Sequence, residues 1–148
     1  MPDKITSLYF ELFNEIAIIE QLSRTILEAR LPKGLMVSHF SVLNHLIRVE
    51  DGRTPLELAK AFQQPKTTMT HTLAGLERHG FVRMEPNPND KRSKQVFITD
   101  VGRAFRDEAI GLLAPDLAQI AELVPPAHVE VLLPGLTALR EELDGLRD

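Results

Sequence analysis

Apolar residues recur every three or four positions along most of this chain, the period of a helix with one buried face. Ile5, Leu8, Leu12, Ile16, Ile19, Leu22 and Ile26 make the first such stripe, widened by Phe13, Ile18 and Leu27. It predicts a helix capped by Thr6 or Ser7 and reaching about Arg30, where Leu31-Pro32-Lys33-Gly34 breaks it. Phe40, Leu43, Leu46 and Ile47 predict a second helix, capped by Ser38 and ending near Gly52. Thr54-Pro55-Leu56-Glu57 has the residues of a capping box with proline in the first turn, and opens a short third helix through Phe62 with Leu58 facing the core.

Gln63-Gln64 then turns the chain into a fourth helix, with Pro65 suited to its first turn and Gly80 as its stop. Met69, Leu73 and Leu76 share one face. Thr67, His71, Ala74 and Arg78 take the opposite one, flanked by Thr70 and Gly75, so the outward surface is polar and small enough for close approach. Here the period changes. Phe81 to Glu85 and Gln95 to Thr99 are rich in strand formers, and Pro86, Asn87, Pro88 and Asn89 mark a turn between them. Asp90-Lys91-Arg92-Ser93-Lys94 puts three cations at the tip.

Helical spacing resumes at Thr99 or Asp100 and runs to about Leu123 through Val101, Phe105, Leu112, Leu113, Leu117 and Ile120, with Pro115 expected to kink or divide it. Pro125-Pro126 starts a last helix, where Leu132, Leu136, Leu139, Leu143 and Leu146 step by four, three, four and three. Pro134-Gly135 interrupts it and predicts a bend or a broken turn. The fold class is therefore mostly α with a small β-hairpin (α+β). Two helices joined by a tight turn, followed by a basic hairpin, have the form of a winged helix-turn-helix.

Composition bounds the function. The 148 residues fit a single domain, and 43% hydrophobic with 26% charged content is ordinary for a soluble globular protein. No apolar run is long enough for a membrane span or a secretory leader, so a cytoplasmic location is expected. The absence of cysteine excludes disulfides, thiolate catalysis and thiol redox sensing. A net charge of −4 alone argues against nucleic acid, yet its distribution does not. Between Lys60 and Arg106 nine Lys and Arg stand against four Asp and Glu, whereas the rest of the chain holds eight against seventeen.

The run GFVRMEPNPNDKRSKQVFIT, with Asp90-Lys91-Arg92-Ser93 at its turn, resembles the wing signature of the MarR (multiple antibiotic resistance regulator) family of bacterial transcription factors. Leu76-Glu77-Arg78-His79-Gly80-Phe81-Val82 is similar to that family's exit from the recognition helix. The resemblance implies one MarR-type unit over 1–148, with a winged helix-turn-helix at about 36–99 and dimerisation helices at 1–30 and 100–148. It implies a homodimer on a pseudo-palindromic operator in double-stranded DNA, acting as a repressor. It also carries roles to residues: Arg92 enters the minor groove, and Asp90 orients it.

The DNA-binding set is then Lys66, Thr67, Thr68, Thr70, His71, Arg78, Asp90, Lys91, Arg92, Ser93 and Lys94. Thr67, Thr70 and His71 would meet base edges or phosphates, Lys66 and Thr68 the backbone, and Lys91 and Lys94 phosphates. The family commonly has arginine where this chain has His71, which weakens one cationic contact. Family members also bind a small organic effector, often an aromatic acid, between the dimer helices and the winged domain. Tyr9, Phe13, His39 and Phe40 are the candidates here, with core packing the competing reading for Phe13 and Phe40 and capping or surface exposure that for His39. No cofactor is expected. The histidine pairs His39/His45 and His71/His79 lack ligand spacing, and no nucleophile elbow, phosphate loop or paired acid and base is present. The alternatives are a winged interaction module without a DNA target, or a metal-responsive regulator.

Overall fold

The computed structural model describes residues 1–147. Seven helices and one hairpin are formed among them: α1 Lys4–Arg30, α2 Val37–Arg48, α3 Pro55–Ala61, α4 Lys66–Arg78, β1 Val82–Pro86, β2 Lys94–Ile98, α5 Asp100–Leu112, α6 Ala114–Leu123 and α7 Pro126–Gly145. They fall into two compact units, Met1–Leu112 and a second that begins at Leu113.

The first unit holds the core. Val42, Leu43 and Leu46 of α2 pack with Leu58 of α3, Met69, Leu73 and Leu76 of α4, Val82, Val96 and Ile98 of the hairpin, and Phe105 and Ala109 of α5. α2, α3 and α4 bury faces that their spacing predicts, whereas α5 keeps only Phe105 of its predicted positions in the core, beside Gly102 and Ala109, and leaves Val101 and Leu112 exposed. The hairpin is antiparallel, with Val82 opposite Ile98 and Pro86 opposite Lys94. Its buried Val82, Val96 and Ile98 alternate with exposed or half-buried residues, as a strand with one dry face requires. Phe81 stacks on Phe105 with ring centroids 4.6 Å apart, fixing the hairpin base to α5.

The caps show where local chemistry sufficed. Thr54 accepts the Glu57 N–H while Glu57 accepts the Thr54 N–H, so the predicted box forms and holds the Glu57 carboxyl below its usual value. Thr99 accepts the Gly102 N–H and caps α5. Two other caps differ from expectation. Asp3, not Thr6 or Ser7, caps α1: its carboxylate accepts the Thr6 N–H and hydroxyl. Ser38 lies inside α2, whose first residue is Val37; the side chain at the cap is that of His39, which accepts the Met36 N–H. Pro65 also shifts by one place, to the N-cap of α4.

Pro115 divides the fifth predicted helix, since α5 ends at Leu112 and α6 starts at Ala114 with the proline in its first turn. Pro134 behaves differently. α7 runs unbroken through it, so of the expected bend or broken turn the broken turn does not occur. The residues around it are exposed, so the Glu130 carbonyl that loses its helical partner can bond to water instead. None of α1, α6 or α7 buries a residue fully. Among the described residues no helix is long and apolar enough to cross a membrane.

One glycine is fixed by its surroundings. A Cβ on Gly102 would lie 2.1 Å from the Phe81 carbonyl oxygen, so α5 meets the hairpin base without room for a methyl group. Gly102→Ala is expected to cost about 3 kcal/mol, read as a lower urea midpoint at unchanged slope. An unchanged midpoint would contradict the close approach.

Candidate nucleic-acid interface

α3 and α4 are joined by Phe62 to Pro65, with Gln63 in the left-handed region at φ 52°. The turn is held by the Gln64 N–H donating to the Ala59 carbonyl at 2.9 Å and by the Gln63 N–H to Lys60 at 3.1 Å. Burial of Met69, Thr72, Leu73, Gly75 and Leu76 fixes the rotation of α4 about its axis. Lys66, Thr67, Thr68, Thr70, His71 and Arg78 are consequently all exposed. Gly75 is a correction: it belongs to the buried face, packed on His39, and Ala74 is half-buried, so the outward surface is made of Thr, His and Lys without glycine.

α4 starts without a side-chain cap. Its first-turn N–H groups and the positive end of its dipole therefore point outward beside Lys66, an arrangement suited to a phosphate. Thr70 donates its hydroxyl to the Lys66 carbonyl at 2.9 Å, so reaching a DNA group as a donor requires a rotamer change.

The hairpin tip is a hydrogen-bonded loop. Asn87 accepts the Asn89 N–H and donates its amide to Ser93 Oγ at 3.0 Å, while the Ser93 N–H donates to the Asp90 carbonyl. Ser93 is thus half-buried within the tip rather than presented at its surface. Asp90 Oδ1 accepts both the Arg92 N–H at 2.9 Å and its Nε–H at 3.2 Å. The Arg92 backbone N–H, then its guanidinium, hold the Asp90 carboxyl below its usual value, so the tether persists into mildly acid solution. The Arg92 side chain is nonetheless 91% exposed. A long cation is aimed by a carboxylate at its base while its donors stay available. Lys91 and Lys94 are exposed on either side.

The base of the hairpin has a support that residue patterns alone did not reveal. The segment Asp51 to Arg53 lies along β2: Gly52 N–H donates to the Val96 carbonyl and Val96 N–H to the Arg53 carbonyl at 2.8 Å. Asp51 accepts the Ile98 N–H at 3.0 Å, and Arg83 lies 5.1 Å from the Phe97 ring centre. Asp51-Gly52 reads as a turn dipeptide, but its partner is more than forty residues away.

The effector candidates do not gather. Tyr9 and Phe13 are exposed on the first half of α1, at 53% and 42%. His39 is buried at the start of α2, and Phe40 packs on the core. A cavity of about 370 Å³ lies elsewhere, between Glu20, Arg24 and Glu28 of α1, the start of α2, and Gln64, Met69 and Thr72.

A helix-turn-helix with a polar outer helix and a cationic hairpin beside it defines a winged helix-turn-helix protein. Residues 33–93 match the MarR family. The chain is 33% identical over 117 residues to the multiple antibiotic resistance protein MarR of Escherichia coli, covering 74% of this chain and 81% of that protein. It is 29% identical over 117 residues to the HTH-type transcriptional repressor YetL of Bacillus subtilis, covering 78% of this chain and 70% of that protein. Mutant Escherichia coli MarR, solved complexed with operator DNA, aligns with a TM-score of 0.68 at 27% identity, over 93% of this chain and 99% of that one. The chain belongs to the MarR family of transcriptional regulators.

Arg92 touches only its own loop. Arg92→Ala is therefore expected to cost about 1–3 kcal/mol of duplex affinity in a gel-shift assay, with the urea midpoint of the protein unchanged. Wild-type affinity in that variant would remove the wing from the interface.

Proposed function

We propose that this regulator acts as a homodimer on a pseudo-palindromic operator and represses by occupying a promoter. The carrying observation is the paired surface just described: an uncapped, polar recognition helix beside an arginine aimed outward by Asp90. α4 enters the major groove with Thr67, Thr70 and His71 toward base edges or phosphates and Lys66 and Thr68 toward the backbone. Arg92 enters the minor groove, where an A·T-rich, narrow site strengthens the negative potential. Lys91, Lys94 and Arg78 neutralise phosphates. The relative solved on operator DNA and the relative named as a repressor support this reading.

Dimerisation through 1–30 and 100–148 is supported by apolar area. Leu8, Phe10, Ile19 and Leu22 of α1 are largely exposed, and so are Leu123, Val131 and Leu132 in the second unit. A lone chain gains nothing by leaving such surface wet, and a two-fold partner would cover it. A small aromatic or anionic effector belongs to the same reading. It would release DNA by favouring a dimer whose recognition helices are not one turn, about 34 Å, apart. Tyr9 and Phe13 are accessible for such a contact, whereas His39 and Phe40 would have to leave their present packing. The proposed location is the cytoplasm.

Footprinting on the DNA flanking the protein's own gene is expected to return two half-sites one helical turn apart. Affinity for that duplex should fall about a thousandfold or more between 50 and 200 mM salt, because several phosphates are neutralised per protomer. A salt-independent interaction would favour a protein-binding module. A solution mass of one 16.6 kDa chain would remove the dimer.

A further inference from the structure

Behind the recognition helix lies a histidine that contacts two elements at once. His39 is 6% exposed. Its Nδ1 accepts the Met36 N–H at 2.9 Å, which closes the first turn of α2. An accepting Nδ1 carries no proton, so the ring is neutral with its hydrogen on Nε2. Nε2 in turn faces the backbone of α4 so closely that a Cβ on Gly75 would lie 2.7 Å from it. One imidazole ring is wedged between the cap of α2 and the middle of α4.

The charged and titratable groups that act on it come from α4 and its exit: His79, His71 and Arg78, each cationic when charged. At the start of its own helix it meets the Met36 N–H, which presents a hydrogen to it. Burial first, then these neighbours, hold His39 below the ordinary histidine range. A second proton on Nδ1 would set donor against donor at Met36 and place a charge among three potential cations. The ring relieves this by leaving its slot, and Gly75 then loses the surface on which α4 rests.

We propose that His39 is a positioning residue for the recognition helix, and that a second proton on its ring unseats α4 and lowers affinity for duplex DNA. This rests on the DNA-binding reading given above. The sign follows from proton linkage. The unseated or unfolded chain takes the proton near pH 6.5, and the seated one takes it only at lower pH. The seated state is therefore fully favoured above pH 6.5 and loses ground as pH falls. His71 lies on the exposed face of α4 and is replaced so that the comparison isolates His39.

The test uses His71→Asn as background, with and without His39→Gln. Glutamine at the third helical position can accept the N-cap N–H as histidine does here, but it does not titrate. Affinity for a duplex of the DNA flanking the protein's own gene is measured by fluorescence anisotropy at pH 7.5 and 5.5. The Met36 and Gly75 amides are followed by nuclear magnetic resonance over the same range. The His71→Asn protein should lose affinity on acidification, by no more than about tenfold at pH 5.5, one unit below the unseated proton affinity. Its Met36 and Gly75 amides should move with one midpoint. The double variant should keep its affinity, and its Met36 amide should stay still; any shift of Gly75 from His79, whose Nδ1 lies 2.9 Å from the Gly75 carbonyl, is common to both proteins. Identical pH profiles in the two proteins would overturn the proposal, as would a Met36 amide that titrates without Gly75. If the unsubstituted protein also fails to bind the duplex, the DNA reading fails, while the two amides still decide whether His39 is coupled to α4.

Discussion

Everything outward-facing in the winged unit depends on how the apolar side of α4 is buried. Met69, Leu73 and Leu76 are fully enclosed by α2, α3 and the hairpin. A helix with three such anchors on one face has a single rotation that keeps them dry, since each buried leucine stabilises by about 1.5–3 kcal/mol. That rotation leaves Thr67, Thr70, His71 and Arg78 in solvent as a consequence. The same packing sets Gly75 against the His39 ring of α2, so the helix is located as well as oriented.

The hairpin is held by a different kind of force. Its tip has little apolar area to bury, and its shape comes from Asn87 and Asp90 accepting loop N–H groups and from the Asn87 amide donating to Ser93 Oγ. Its base is fixed by packing of Phe81 on Phe105 and by the hydrogen bonds from Asp51, Gly52 and Arg53. A loop built from side chain–backbone bonds can project into solvent without strain, and Arg92 is carried outward on it. Electrostatics and packing are thereby separated: among the described residues the core is apolar apart from His39 and Thr72, and Lys66, Arg78, Lys91, Arg92 and Lys94 are exposed.

The remaining helices show the opposite balance. α1, α6 and α7 expose leucine, isoleucine and valine along most of their length. Acidic residues are concentrated outside the Lys60–Arg106 segment. A polyanion has no reason to approach those surfaces, whereas an apolar partner does. The chain thus divides its chemistry between a cationic reading head and apolar helices, which is the arrangement the proposed dimer uses.

Residue spacing alone determined most of the helix spans, the hairpin, the box at Thr54 and Glu57, the division at Pro115 and the exposed polar face of α4, because each depends on contacts within a few residues. The wing signature determined the family by the same local logic. Only the tertiary structure decided that Gly75 faces inward, that His39 rather than Ser38 caps α2, and that Asp51 to Arg53 brace β2. Those outcomes turn on which distant backbone arrives at contact range, and hydrophobic period cannot encode it. Pro134 in an unbroken α7 has the converse cause: a proline signal is local, but whether the helix stops depends on whether water can take up the carbonyl it frees.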